Sequence, residues 1–220
     1  MTNNPANTIQ LDKQQLADSL GAMGVPHDGG LVDKLEQFIA LLIKWNKVYN
    51  LTAIRDPKLM VTHHLLDSLA VMPYLNGTKV LDVGSGAGIP GIPLAIFNPN
   101  ISFTLLDSNR KKTRFIAQAA IELGLKNVDV VTGRVEAYQS DARYDTVMCR
   151  AFASIEKILT LTGKHCAETG RFVLMKGVVP EEELKLLPEG IELKQVIELN
   201  VPGLEAERHL IILSQSGSTN

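Results

Sequence analysis

Between Lys79 and Pro93 the chain reads KVLDVGSGAGIPGIP, and this stretch limits the possible fold more than any other. Val80, Leu81 and Val83 form a short apolar run of the kind that becomes a buried strand. Gly84, Gly86 and Gly88 then allow a tight turn and a close approach of backbone to ligand. Pro90, with a fixed φ and no N–H, suits the first turn of a following helix. Strand, glycine loop and helix in succession predict a small-ligand site whose free helix N–H groups favour a carboxylate or phosphate. Gly86, Gly88 and Gly91 also satisfy the dinucleotide spacing G-x-G-x-x-G, a pattern too common to select a ligand by itself.

A second pattern overlaps the first. Asp82-x-Gly84-x-Gly86-x-Gly88 sets an acidic residue inside the strand end with glycines at alternate positions after it. In this it resembles the first motif of S-adenosylmethionine (SAM) methyltransferases, a resemblance implying that the loop meets a methionine carboxylate in place of a pyrophosphate. Asp107 stands 19 positions after Gly88, at the end of the next predicted strand. Doubly wound nucleotide folds place there the carboxylate that accepts hydrogen bonds from ribose hydroxyls. SAM and NAD both need it, so Asp107 strengthens the pocket without choosing between them.

Around this loop the chain divides in character. Residues before Leu11 are polar and expected to fray. Leu11 to Leu20 suits a short amphipathic helix, and Leu31, Leu35, Phe38, Leu42, Trp45 and Tyr49 recur along one face of a longer one, with Ile39 and Ile43 widening the stripe. Trp45 and Tyr49 read as core, a stacking platform for a base being the alternative. Asp56-Pro57 supplies an N-cap and first position for a helix running to about Met72. Within it Asp67 lies among leucines, in helical reach of His63 and His64. His64, Asp67 and Ser68 either form a polar edge or brace the helical region against the ligand loop.

After Asn76-Gly77 strands and helices alternate. Strands are predicted at 80–83, 101–106, 128–131, 146–149 and 171–175, with helices at 90–97, 109–123 and after Ser154 and Pro180, and a closing strand pair near 191–199 and 207–213. Repeated βα units imply a mainly parallel, doubly wound α/β sheet, with the last pair as a hairpin edge. The expected organisation is an N-terminal helical region over 1–76, a ligand-binding α/β domain over 77–214 and a disordered tail over 215–220.

Composition excludes several classes. The longest apolar run, Phe38 to Ile43, is far short of a membrane span, and the polar start has no signal-peptide character, so a soluble cytoplasmic protein is expected. Cys149 and Cys166, the two cysteines, fall in different predicted elements without zinc spacing, and the five histidines form no metal motif. No disulfide and no metal are expected. A formal net charge of −2 argues against general coating of nucleic acid, but local patches matter more.

One such patch follows Asp107. Arg110, Lys111 and Lys112 occupy the first turn of a predicted helix, with Arg114 close behind, where cations oppose the macrodipole by some tenths of a kcal/mol each. A purely structural helix would carry Asp or Glu there. Arg134, Arg150 and Lys176 each follow or end a predicted strand on the same rim, beyond the carboxyl ends of the strands. These seven basic residues on one edge of a slightly acidic chain point to a phosphate backbone as partner.

The combined motifs carry a closer resemblance. Asn50-Leu51-Thr52, HLLDS at 64–68, LDVGSGAGIPGIP at 81–93, LLDSNRKK at 105–112, RVE at 134–136, CRAFAS at 149–154 and LMKG at 174–177 together resemble the RsmG (GidB) family of bacterial 16S rRNA guanine-N7 methyltransferases. The resemblance runs from about residue 30 to the final strands. It implies a Rossmann-like class I SAM-dependent methyltransferase fold, with a seven-stranded, mainly parallel sheet and an N-terminal helical extension. It also implies methyl transfer to N7 of one guanine of 16S rRNA, position 527 in conventional rRNA numbering. Partners would be 16S rRNA or the small ribosomal subunit, with the protein acting as a monomer. On the matching positions it places Gly84 and Ile89 beside SAM, together with the glycine-loop residues Asp82, Gly86 and Gly88. Asp107 becomes the ribose carboxylate, Val135 and Glu136 the segment beside adenine, and Arg150 an arginine at the SAM pocket that also meets RNA. Lys111, Lys112, Arg134 and Lys176 match the family's basic surface, and Arg110 and Arg114, from the charge pattern of the helix, join them as RNA-binding candidates.

Guanine N7 presents an in-plane lone pair, so no proton need be removed before attack and no general base is expected. Arg150 is the candidate for orienting cofactor and base edge. Three rival readings stand beside this one. Cys149 could act as a covalent nucleophile, although the Pro-Cys context of cytosine-C5 methyltransferases is missing. The chain could be a noncatalytic RNA-binding or assembly factor that retains a SAM fold. It could also be an NAD oxidoreductase, which would lack a convincing proton relay.

Overall fold

The computed structural model describes residues 11–150 and 153–217. The expected frayed start, Ala151-Phe152 of the CRAFAS stretch and the last three residues of the expected tail lie outside them. The N-terminal part is helical. Helix α1 (Lys13–Ala22) begins at Asp12, whose side chain accepts from the Gln15 N–H, and α2 (Gly29–Tyr49) begins at Asp28 in the same way. Asn50 ends α2 with φ of 49°, a left-handed residue of the kind that Asn tolerates. The next helix starts as expected, with Asp56 as cap and Pro57 at its first position in α3 (Pro57–Met60). It does not continue regularly to Met72. A π-helical segment, Val61–Leu66, intervenes before α4 (Asp67–Leu69), and a short 3-10 turn covers Met72–Tyr74. Helical periodicity was satisfied by the leucines in both forms, so the widened turn left no mark in the pattern.

Seven strands follow: β1 (Lys79–Val83), β2 (Ser102–Asp107), β3 (Val128–Thr132), β4 (Tyr144–Arg150), β5 (Cys166–Lys176), β6 (Ile191–Glu198) and β7 (His209–Gln215). Their order in the sheet is β3-β2-β1-β4-β5-β7-β6. β1 pairs in parallel with both β2 and β4, and β7 enters antiparallel between β5 and β6. Helices α5 (Gly91–Phe97), α6 (Arg110–Glu122), α7 (Ile155–Thr162) and α8 (Glu181–Lys185) connect them. The chain reverses its direction of winding between β1 and β4, which makes the carboxyl ends of these two strands the switch point where such sheets bind ligands.

Alternation along the strands sends side chains to two apolar layers. Val80, Phe103, Leu105 and Met148 join α2, α5 and α6, while Leu81, Val83, Leu106, Val147 and Cys149 join α7. Leu35, Phe38, Ile39 and Leu42 of α2 share the first layer with Ile92, Ile96, Phe115 and Ile116, so the helical region is part of the sheet's own core. Trp45 belongs there too, its ring 5.7 Å from Phe115 and 5.3 Å from Tyr49, the packing role expected for both aromatics.

Among the boundaries that differ from the sequence reading, two change the pairing of the sheet. β5 starts at Cys166, well before Arg171, and its first residue pairs with Tyr144 across a register shift. The polar Glu168-Thr169 hid this half of the strand. At the other end, β7 pairs through Gln215 opposite Ile191, one residue into the segment expected as tail.

Candidate active site

Gly84 and Ser85 turn the chain away from β1, and their N–H groups both donate to Leu106 O at 2.8 and 3.1 Å, fastening the loop to the end of β2. Gly84, Gly86 and Gly88 all have positive φ, as the sequence required. The loop's donors are largely spent on the protein, contrary to the expectation of a free helix N-terminus. Gly86 N–H donates to Asp107 Oδ2 at 2.9 Å, and Gly91 N–H, at the start of α5, donates to Asp82 Oδ2 at 3.2 Å. Asp82 is therefore the internal cap of α5. Its other oxygen is buried without a partner, and burial pushes its carboxyl up to about 7.

Beyond the strand ends lies an open cleft of about 530 Å³. Val83, Gly84, Leu106 and Asp107 form its floor; Gly133, Arg134, Val135 and Glu136 form one wall; Lys112 and Arg150 add positive charge. Asp107 is held in place by Gly86 and by Asn109 N–H at 2.8 Å on its other oxygen. A smaller cavity of about 160 Å³ lies against the glycine loop, lined by Leu51, Thr52, His64, Gly84, Ser85, Gly86, Ala87, Ile89 and Arg150. Gly84 and Arg150 border both spaces. The structure thus collects Gly84, Asp107, Val135, Glu136 and Arg150 around the cleft. Gly86 and Ile89 face the smaller cavity, while Asp82 and Gly88 lie beneath the loop and line neither.

The basic residues separate. Lys112 and Arg134 line the cleft, whereas Arg110, Lys111 and Arg114 are exposed on α6 outside it. Lys176 is engaged internally, its Nζ donating to Ala153 O at 3.1 Å and lying 3.7 Å from Glu183. Lys157, from α7, is a lining cation that the strand-end argument missed, because it reaches the cleft from a helix.

Arg150 is positioned from the helical region. Its Nη1 donates to His63 O at 3.0 Å and lies 3.4 Å from Asp67 Oδ2, and Arg208 Nε donates to Asp67 Oδ1 at 3.1 Å. Asp67 has no exposed surface, so burial pushes its carboxyl up while Arg150 and then Arg208 pull against that shift. Burial likewise lowers the Arg150 guanidinium, opposed by Asp67. Asp67 thus braces the helical region against Arg150 at the end of β4 and against Arg208, not against the glycine loop itself, while His64 and Ser68 bond within the helical region. Arg208 left no sequence signal, since it sits in an irregular segment far along the chain.

His64 is buried, its Nε2 3.0 Å from Thr52 Oγ1, and Ser68 Oγ donates back to His64 O. Burial, with the Arg150 charge, lowers its imidazole to about 4. A histidine lowered in the native state is protonated first in the unfolded chain, so its stabilisation is complete above about pH 6.5 and is lost as pH falls toward 4. Its full contribution is about 3 kcal/mol. His165 shifts the same way and Asp82 the opposite way, so the measurement is a difference. Denaturant unfolding of the native protein and of His64→Gln between pH 7 and 4 is expected to show the steeper acid loss in the native protein alone.

Cys149 is buried at the end of β4, and burial pushes its thiol up to about 12, the wrong direction for a nucleophile. Cys149 and Cys166 are both free. Among the described residues no three His, Cys, Asp or Glu side chains group to hold a metal ion, and no helix is long and apolar enough to cross a membrane.

The sheet order, the cleft at the switch point and the carboxylate at its edge define a SAM-dependent methyltransferase of the Rossmann-like class. Solved structures share this fold: a SAM-dependent methyltransferase from Aquifex aeolicus (TM-score 0.54, 19% identity, 77% of this chain and 96% of that one) and one from Thiobacillus denitrificans in complex with S-adenosyl-L-homocysteine (TM-score 0.51, 16% identity, 68% and 90%). The family described as rRNA small subunit methyltransferase G (GidB) matches residues 31–211, and the chain belongs to it. Ribosomal RNA small subunit methyltransferase G of Chromobacterium violaceum is 49% identical over 92% of this chain and 98% of its own length. The protein of that name from Neisseria meningitidis serogroup C is 50% identical over the same shares.

Proposed function

We propose that this chain transfers the methyl group of SAM to N7 of one guanine in 16S rRNA. Family membership over residues 31–211 carries the reaction class and the RNA. The residue roles are our own assignment. The cleft suits the cofactor: its volume of about 530 Å³ lies in the range of small-molecule sites, and it joins one fixed carboxylate to apolar walls from Val83, Leu106, Val135 and Leu161. Asp107 would hold the ribose hydroxyls, Val135 and Glu136 would border the adenine, and Gly84 would let the backbone approach the methionine end. SAM supplies an electrophilic methyl group on a sulfonium.

The chain's own contribution is positional. N7 needs no deprotonation, so catalysis rests on holding the lone pair in line with the methyl, a proximity effect. Arg150 borders both cavities and is fixed on one side by Asp67 and His63 O, which suits it to orient cofactor and base together. Arg110, Lys111, Lys112, Arg114 and Arg134 would meet RNA phosphates. Lys176, with its internal partners, would act chiefly by holding Ala153 at the cleft. The setting is the cytoplasm, with a monomer acting on free rRNA or the small subunit.

Small subunits and total RNA from cells lacking this gene, incubated with the protein and labelled SAM, test the assignment. Label is expected on N7 of a single small-subunit guanine. Tight SAM binding with no transfer to either substrate would favour the noncatalytic assembly factor instead.

A further inference from the structure

The smaller cavity is built around a hydroxyl whose hydrogen has one direction left to point. Asn50 turns the chain out of α2, and Thr52 N–H donates to the buried Asn46 Oδ1 at 2.9 Å, fixing the backbone of the loop. Thr52 Oγ1 then accepts from Ile54 N–H at 3.2 Å and lies 3.0 Å from His64 Nε2. His64 is 5% exposed, and its Nδ1 is buried with no hydrogen-bond partner. A neutral imidazole carries one N–H, which belongs on the nitrogen that has an acceptor in reach, because buried N–H groups without partners are rare. Thr52 Oγ1, 3.0 Å from Nε2, is an acceptor in hydrogen-bond geometry, whereas the His63 carbonyl that acts on the imidazole makes no such bond with Nδ1, so the N–H is assigned to Nε2. With two donors already directed at Oγ1, the threonine hydroxyl is left as a donor, on a residue that lines a cavity also touching the glycine loop and Arg150.

We propose that this cavity receives the acceptor guanine and that Thr52 donates its hydroxyl hydrogen to O6, making Thr52 a specificity residue locked in the donor role by His64. The inference rests on the methyltransferase reading given above. O6 and N7 are neighbouring acceptors on one edge of guanine. During methylation N7 must stay free of donors, so the site can grip this edge only through O6. Adenine presents an amino donor at the same place, and a hydroxyl that cannot turn round would meet it donor to donor. A site built in this way rejects the wrong base by leaving buried polar groups unpaired, a stronger filter than shape. The position fits the chemistry, since Gly84 and Arg150 are the two residues shared with the cofactor cleft, where the methyl group would enter.

The test is a four-way comparison using full-length protein and small subunits whose target nucleotide is either guanosine or 2-aminopurine riboside. The latter keeps N7 and lacks O6. The native protein is expected to methylate the 2-aminopurine substrate about 10-fold more slowly or worse, the loss of about one buried hydrogen bond. Thr52→Val is expected to lose a similar factor on guanosine, to bind SAM as the native protein does, and to show little further loss on 2-aminopurine. Thr52→Ser, which keeps the hydroxyl, is expected to recover most of the guanosine rate. The proposal is overturned if Thr52→Val methylates guanosine at the native rate, or if removing O6 slows Thr52→Val as much as it slows the native protein. Failure of the native protein to methylate the guanosine substrate at all would instead defeat the methyltransferase reading itself.

Discussion

Removing both Arg150 and Arg208 is expected to destabilise the protein by about 3–5 kcal/mol, more than the two single alanine substitutions added together. The reason is the environment of Asp67. Its carboxylate has no exposed surface and draws on two guanidiniums, Arg208 at 3.1 Å and Arg150 at 3.4 Å, which are themselves partly open to solvent. Losing one arginine leaves the other in place. Losing both leaves a buried charge without a counter-ion, and the carboxyl answers by taking up a proton, in the direction burial already pushes it. Denaturant unfolding of the native protein, both single variants and the double variant measures the coupling directly. Additive losses would mean that Asp67 is solvated or paired in another way. Arg150→Ala alone is expected to lose methyl transfer beyond its modest effect on folding, since the side chain also borders both cavities.

The brace also shows where the sequence stopped being informative. Strand, glycine loop and Asp107 were legible because each rests on local chemistry: an apolar run, positive φ and a fixed interval along the chain. The sheet's winding followed from alternation of the same units. Asp67 was legible as an anomaly, a carboxylate among leucines, but its partners are 83 and 141 positions away, beyond any periodicity. The π-helical segment that carries His63, whose carbonyl accepts from Arg150, obeys the same apolar spacing as a regular helix, so the sequence does not distinguish them. The glycine loop failed differently. Counting its N–H groups as ligand donors overlooked that Asp82 and Asp107 are close enough to take two of them, and that Leu106 O takes two more. A carboxylate flanking a glycine loop therefore has two readings, ligand contact or internal cap. At this site Asp82 is the cap, and Asp107 is a cap that still faces the cleft.

Gly91→Ala is expected to produce the second large loss, about 1–3 kcal/mol of stability from overpacking together with a weakened grip on SAM. A methyl group at Gly91 would overlap Leu105 Cδ2 and stand 2.8 Å from Asp82 Oδ2. Leu105 is fully buried in β2, and Asp82 is buried at the end of β1, so neither side chain has free space to retreat into. Displacing the Asp82 carboxyl breaks its bond from Gly91 N–H and uncaps α5, while displacing Leu105 disturbs the strand that presents Leu106 O to Gly84 and Ser85. Both movements reach the loop that floors the cleft. Gly86→Ala is the informative contrast. There a methyl group would be 3.9 Å from Gly84 O and 4.0 Å from Lys112 Nζ, so packing is not offended and the penalty is the left-handed φ of 58°, about 1–2 kcal/mol. Thermal unfolding and SAM titration of the two variants separate these causes. Gly91→Ala should respond to Leu105→Ala in the same chain, which removes the overlapped atom and restores part of SAM affinity, whereas Gly86→Ala should not. Equal insensitivity of both variants to Leu105→Ala would show that the collision with Leu105 is not what makes glycine necessary at position 91.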